Sequence, residues 1–410
     1  MSETKETSAP QLISIGYHDL VKFAEMSKAQ SSSSSSWEKE RSLVLEKIGL
    51  AFGNGDDCLG ILAVTDIPDV DRHRQTLLPL AQTLATLPPA DLEKVVDYES
   101  GFQSGWSHGK EKVEGDKFDT GKGSFYANPL MDDITKGTGD DPTTLVDKHI
   151  IKENPAFFAP NVWPTESIPT FESAFKDLGQ LVVQVGRLVA GPCDAYVTKT
   201  CGESYQSKKL SSVIHNSRFC KARLLHYFAM DPPANGSEEH KSDRRSTQDT
   251  DFSDWCGWHN DHGSLTGLVP AIFLDPDGNQ VPCPDPEAGL YIKSRSGSVV
   301  HVSLPPGSLG FQIGETSQIH TGGVLQATPH AVRGVRSSTS GGITRESFAV
   351  FMEPEFGGDM DIHVTGKTVE DTQRQEAEKH LPKTIRTLRS RWKPGMNFGE
   401  FSNATFAAFY

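Results

Sequence analysis

The 410-residue chain predicts a mainly β core with flanking helices, an α/β region ahead of it and a helix behind it. Two observations carry this expectation. After Cys220 the sequence breaks into short β-like runs separated by Pro, Gly and Asp turns, the pattern of a sandwich or barrel. Before it, one continuous apolar stripe runs at helical spacing through Phe171, Phe175, Leu178, Leu181, Val182, Val185, Leu188 and Val189.

Taken in order, residues 1–40 form a flexible segment ending in the low-complexity run Ser31 to Ser36. An α/β region over 41–219 follows. Ile61-Leu62-Ala63-Val64, between Gly60 and the turn Asp66-Ile67-Pro68, reads as a short buried strand. Leu77, Leu78, Ala81 and Leu84 sit at helical spacing and stop at Pro88-Pro89. Gly101 to Lys110 is glycine-rich and reads as loop. Pro169 suits the start of the long amphipathic helix, whose stripe is core and not a cofactor box.

The region 220–360 holds the β-like pieces 223–228, 290–292, 299–302, 309–313 and 347–351. The polar insertion from Asp231 to Asp254 lacks apolar periodicity and reads as a mobile loop or lid. In the last region, 361–410, residues 369–388 return to a helical pattern, and an aromatic tail covers the end of the chain.

Bulk properties narrow the function. Hydrophobic content of 36% and charged content of 23% describe a soluble globular protein, and no apolar run is long enough to span a membrane. Met1 to Pro10 has no apolar secretory core. A net charge of −14 argues against nucleic acid, which needs a basic footprint. The six cysteines show no paired metal-site spacing and read as reduced thiols in a cytoplasmic protein, which is expected to be a monomer.

One constellation carries chemistry. On a strand, His259 and Asp261 would share a face, because side chains alternate with period 2. A distant histidine completes three donors, and two imidazoles plus a carboxylate with open positions form the facial triad of non-haem Fe(II) oxygenases. His330 and His320, each followed by β-like sequence, compete for that place. Arg345 and Ser347, also two apart, offer a fork and a hydroxyl to a carboxylate. The plainer readings are a surface turn pair for His259 and Asp261 and a surface strand charge for Arg345.

Several motifs agree in order with a known family. Arg223-Leu224-Leu225-His226-Tyr227-Phe228, Trp258-His259-Asn260-Asp261 with Leu265-Thr266, Pro306-Gly307 with Ile313-Gly314-Glu315, Gly322-Gly323 through His330-Ala331-Val332, and Arg345-Glu346-Ser347-Phe348 stand in family sequence. Over residues 60–360 the chain resembles the isopenicillin N synthase-like group of Fe(II)/2-oxoglutarate-dependent dioxygenases. That resemblance implies a double-stranded β-helix (jelly roll, cupin-like) core over 220–360. It implies Fe(II) on His259, Asp261 and His330, and 2-oxoglutarate held by Tyr227, Arg345 and Ser347. O2 is the further substrate and ascorbate an accessory reductant. Leu225 departs from the family pattern, which has Asn there, and Phe228 replaces Pro.

The implied activity is oxidation of a small molecule by hydroxylation, desaturation or ring closure, in secondary metabolism. Cations and aromatics between Gly101 and Asn128, among them Trp106, His108, Lys110, Lys112, Lys117, Lys122, Phe125 and Tyr126, favour an anionic substrate. Cyclisation of an acidic prenylated amino acid, as in kainoid synthases, is one concrete case and a phenylpropanoid another. Phe398, Phe401, Phe406, Phe409 and Tyr410 suit either a pocket cap or core packing. Two alternatives stay open: an isopenicillin N synthase-type iron oxidase that does not use 2-oxoglutarate, and a catalytically silent cupin-like binding protein.

Overall fold

The computed structural model describes residues 10–409 except 30–34, 111–117, 137–146, 206–207, 230–255, 336–340, 374–378, 383–384 and 386. The insertion 231–254, read above as a lid, lies outside the described residues, as do Lys112 and Lys117.

Thirteen strands are named among the described residues: β1 Ile13–Gly16, β2 Ile61–Thr65, β3 Gly105–His108, β4 Lys122–Ala127, β5 Cys220–Tyr227, β6 Cys256–His259, β7 Leu265–Leu274, β8 Gln280–Val281, β9 Gly289–Lys293, β10 Val299–Val302, β11 Leu309–Ile313, β12 His330–Arg333 and β13 Thr344–Met352. They form two sheets. The larger runs β1-β2-β11-β7-β13-β5-β4-β3 with β8 paired to β7, and the smaller runs β10-β9-β12-β6. Apart from the parallel β1–β2 pair, the pairing is antiparallel. This is the jelly-roll core with flanking helices that the turn-punctuated β runs predict.

One face of the larger sheet is covered by the helix Phe171–Cys201. Its buried residues, including Phe171, Phe175, Leu178, Val182, Val185 and Val189, pack in one core with Phe311, Phe348, Val350 and Met352. Small residues let the two elements approach. A Cβ on Gly267 of β7 would lie 2.2 Å from Val182 Cγ1, and one on Gly186 would lie 2.6 Å from the Met352 sulfur. The helix is thus fixed against the central strands, and the opposite face of that sheet is left to the smaller sheet and the cavity between them.

Four sequence expectations are corrected. The described part of 1–40 is not a flexible segment: it holds β1, paired with β2, the helix Tyr17–Ala29, whose apolar residues Leu20 and Phe23 join the core, and the start of the helix Ser35–Phe52. Gly101 to Lys110 is not all loop: Gly105–His108 is edge strand β3, paired with β4, where Trp106 lies over Gly123. The spacing through Leu77 and Leu84 is two helices, Val70–Leu77 and Pro79–Ala85, because the Pro79 ring starts a new first turn. Residues 369–388 are not one helix. Described helix there is limited to Val369–Thr372, closed by a Thr368–Asp371 capping box, and a 3-10 turn at Leu388–Ser390. The C-terminal helix is Phe398–Phe409.

Candidate metal centre

Both sheets contribute to one cavity of about 370 Å³, a size suited to a small-molecule site. On its smaller-sheet side, β12 and β6 pair so that His330 stands directly across from His259. The ring centroids are 4.2 Å apart. Asp261 lies not on the strand but in the turn just after β6, so period-2 alternation is not what aims it. Its loop is instead pinned by backbone bonds: Glu315 N–H donates to Asp261 O at 2.8 Å, and Thr316 N–H to His262 O at 3.3 Å.

The donor atoms converge. His259 Nε2 and His330 Nε2 lie 3.9 and 3.7 Å from the same oxygen, Asp261 Oδ1. One ligand atom from each residue falls within a common 4.8 Å. Each imidazole is oriented by a carbonyl two residues earlier in the chain: His259 Nδ1 sits 2.8 Å from Gly257 O, and His330 Nδ1 3.3 Å from Thr328 O. An Nδ1–H donated to each carbonyl leaves both Nε2 lone pairs facing Asp261, the outer-shell arrangement of metal-bound histidine. Gly60 supports it from just before β2: at φ +65°, its missing Cβ leaves room for the Thr328 side chain.

Charge at the site suits a cation. Burial opposes ionisation of Asp261, yet His330, His259 and the Thr266 hydroxyl outweigh it and hold the carboxyl below its ordinary pKa. Asp261 Oδ2 is buried with no hydrogen-bond partner among the described residues, a costly state that a cation would relieve. Burial, then His259, push His330 down to about 4, so its ring is neutral and its lone pair free. His259 goes the other way: burial works against charge, but Cys256, with Sγ 3.7 Å from Nδ1, and Asp261 carry it up to about 9. The ionised Asp261 and the neutral His330 fit a divalent ion, which would take the place of the proton that Cys256 and Asp261 favour on His259.

A second group lines the same cavity. Arg345 on β13 pairs directly with Tyr227 on β5, and its guanidinium stands 4.9 Å from the Tyr227 ring centroid. Arg345 Nη1 donates to Ser347 Oγ at 3.3 Å, as the two-residue spacing requires. Arg345 and Ser347 are each 8% exposed and Tyr227 3%, a buried fork and hydroxyls suited to a carboxylate. Leu225 is an apolar part of the wall.

Of the other sequence candidates, His320 is neither pocket nor surface: it is 1% exposed, at the end of the helix Glu315–His320, and outside the cavity. Its spacing from Asp261 is set by a buried helix and not by a strand. Of the basic and aromatic segment, Lys122 lines the cavity, while Trp106, His108, Lys110, Phe125 and Tyr126 do not. Phe398 and Phe401 pack on Ile319, Met360 and Trp392, away from the cavity. Sequence reasoning passed over Arg223 as a site residue. It lines the cavity four residues before Tyr227 on β5, a spacing whose period of two already put it on that face.

The likeness to solved structures extends over nearly the whole chain. A 2OG-Fe(II) oxygenase family protein from Caulobacter crescentus superposes with a TM-score of 0.58 at 17% identity, over 98% of this chain and 100% of that one. Full-length Neurospora crassa T7H, in complex with α-ketoglutarate and thymine, gives 0.58 at 16% identity over 99% of each chain. The dioxygenase for auxin oxidation from rice gives 0.52 at 14% identity, over 97% and 95%. The chain has the fold of the Fe(II)/2-oxoglutarate oxygenases. At these identities the likeness is one of fold, not of substrate, and it does not single out the isopenicillin N synthase-like group. No protein-family model and no curated protein matches the sequence. Among the described residues, no helix is long and apolar enough to cross a membrane.

Proposed function

We propose that the protein is an Fe(II)- and 2-oxoglutarate-dependent oxygenase that oxidises a small molecule. In this reading His259, Asp261 and His330 hold the iron, and Tyr227, Arg345 and Ser347 hold the cosubstrate. The catalytic unit is 220–360, with strands β2, β3 and β4 of 41–219 extending its larger sheet and the long helix packed behind it. The observation that carries the reading is the convergence of two Nε2 atoms on Asp261 Oδ1 in the cavity that also holds the Arg345 fork.

Bound Fe(II) supplies a centre at which O2 is reduced, with electrons from oxidative decarboxylation of 2-oxoglutarate to succinate and CO2. The chain's own residues bind, orient and exclude. Asp261 gives the site its negative charge, and the Gly257 and Thr328 carbonyls hold both rings in the ligand tautomer. Arg345, with Tyr227 and Ser347 beside it, would hold the distal carboxylate of the cosubstrate. Leu225, Leu268, Phe273, Val332 and Phe351 make much of the remaining wall apolar, which limits water around the reacting C–H bond.

Arg223 and Lys122 supply cationic side chains on the same wall. Ser124 Oγ accepts from Arg223 at 2.8 Å, and Lys122 pairs with Asp119 at 2.5 Å. They support an anionic substrate, and thymine and auxin, named for the structural neighbours, are likewise small molecules.

The test is anaerobic loading with Fe(II) and 2-oxoglutarate, followed by O2 and a fractionated metabolite extract. Succinate should form in step with one oxidised product, and His330→Ala should abolish both. Substrate oxidation without succinate would replace this reading with the iron-oxidase alternative.

A further inference from the structure

A second pair of histidines and a carboxylate meets outside the cavity. His320 ends the helix Glu315–His320, and Asp359 and His363 lie four residues apart in the segment after β13. One donor atom from each lies within 4.8 Å of the others. We propose that His320, Asp359 and His363 form a separate binding site for a divalent transition ion of the zinc class.

His320 is the deciding residue. Its ring is 1% exposed, and Nε2 lies 2.9 Å from the carbonyl oxygen of Asp359. Donation of Nε2–H to that carbonyl fixes the tautomer and leaves the Nδ1 lone pair bare. Nδ1 is buried and has no hydrogen-bond partner among the described residues. A buried imidazole with one nitrogen tied to a carbonyl and the other bare is what a metal ligand looks like before its ion arrives. His259 and His330 use the same device with the two nitrogens exchanged.

The remaining donors are placed to complete the set. His363 Nε2 is 2.5 Å from Asp359 Oδ1, and the two rings stand edge to face with centroids 5.3 Å apart. His363 N–H donates to His320 O at 3.0 Å, and Met360 N–H to Met396 O at 3.0 Å, so the backbone under the ligands is fixed. Lys209 holds the other carboxylate oxygen, Asp359 Oδ2, at 2.8 Å, which orients Oδ1. Its charge, on a side chain 12% exposed, weakens a cation site, and the 48% exposed Asp359 side chain admits water that offsets part of the repulsion.

Two imidazoles and one carboxylate suit zinc, with solvent in the fourth position. Bond lengths near 2.0–2.1 Å put donors about 3.4 Å apart, so His363 and Asp359 must separate slightly as the ion enters. The half-exposed Asp359 can make that adjustment while His320 stays fixed. The ion would join the C-terminal end of the helix that starts at Glu315, beside Asp261, to the segment leading toward the C-terminal helix.

Metal counting on the full chain tests this independently of the oxygenase reading. Protein stripped with chelator and dialysed against Zn(II) should hold two equivalents. His363→Ala and, separately, Asp359→Asn should hold one, and the double variant His259→Ala/His330→Ala should also hold one. Zn(II) should raise the melting temperature of that double variant, and adding His363→Ala should remove the rise. Loss of zinc from His363→Ala alone, with the double variant unaffected, supports this site and refutes the triad. One equivalent in the wild type that survives His363→Ala and disappears with His259 and His330 overturns the proposal. The cluster is then a hydrogen-bonded set only, and two equivalents retained in both His363→Ala and Asp359→Asn would overturn it equally.

Discussion

Arg345→Lys separates the cosubstrate clamp from the metal site. Lysine keeps the charge but loses the planar fork, so one of two parallel bonds to a carboxylate disappears. The residue is 8% exposed, and a hydrogen bond to a charged group is worth about 1.5–3 kcal/mol. The guanidinium also stands 4.9 Å from the Tyr227 ring centroid, and the shift to an ammonium changes a contact worth about 1 kcal/mol. Together these predict a loss of about 2–4 kcal/mol, or roughly 30- to 1,000-fold in affinity for 2-oxoglutarate. The assay is anaerobic calorimetric titration of 2-oxoglutarate into protein loaded with Fe(II). Iron binding, measured in the same preparation, should be unchanged, because Arg345 is not among the three converging donors. Tyr227→Phe should lose about 1 kcal/mol, one neutral hydrogen bond. Affinity for 2-oxoglutarate within twofold of wild type in Arg345→Lys would refute the clamp and favour an enzyme that takes its electrons from the substrate alone.

Three further outcomes follow from the packing. Arg391 and Glu315 form an ion pair at 2.7 Å with side chains 2% and 3% exposed, and Arg391→Met should cost about 3–5 kcal/mol in chemical denaturation by stranding the carboxylate. Glu315 also accepts from Asn260 Nδ2 at 3.3 Å, so iron affinity should fall in the same variant. Burial, helped by Asp261 and opposed by Lys221, raises the Glu353 carboxyl to about 7 from 4.5. The folded state therefore holds a proton that the unfolded state releases, and wild-type stability should fall as pH rises from about 4.5 through 7, by at most about 3 kcal/mol. Glu353→Gln should flatten that slope in melts across pH; an unchanged slope would show that the carboxyl ionises freely. Gly267→Ala, with its Cβ 2.2 Å from Val182 Cγ1, should destabilise by about 1–3 kcal/mol, and full stability would mean that the helix is not locked to β7.

Much of the site was legible because its geometry follows short chain spacings. Arg345 and Ser347 share a face by strand alternation, and the β runs after Cys220 are bounded by turn residues that mark their ends. His259 and Asp261 were paired correctly for the wrong reason: Asp261 is aimed by a turn bonded to Glu315, a contact 54 residues away. Partnerships of that length leave no periodic trace. The same holds for Arg391 with Glu315 and for His320 with Asp359, which are set by how helices and loops pack on the sheets. Strand β3 was hidden because glycine lowers β propensity, while its pairing with β4 supplies the order.

The cross-strand pairing of His330 with His259 makes metal occupancy a report on strand alignment. The register already shifts between His330 and Val332, where β12 leaves its even pairing with β6. A slip of one residue in so short a ladder would turn an imidazole to the opposite face and abolish the site. An ion bridging the two strands acts as a pin: at about 100 times its dissociation constant it adds roughly 2.7 kcal/mol to the aligned state alone. Chelation should accordingly loosen β6 and β12 first, while the larger sheet, clamped by the long helix, keeps its amide protons. A preparation short of metal would look folded by circular dichroism and yet hold a fraction of molecules in which the two histidines no longer meet.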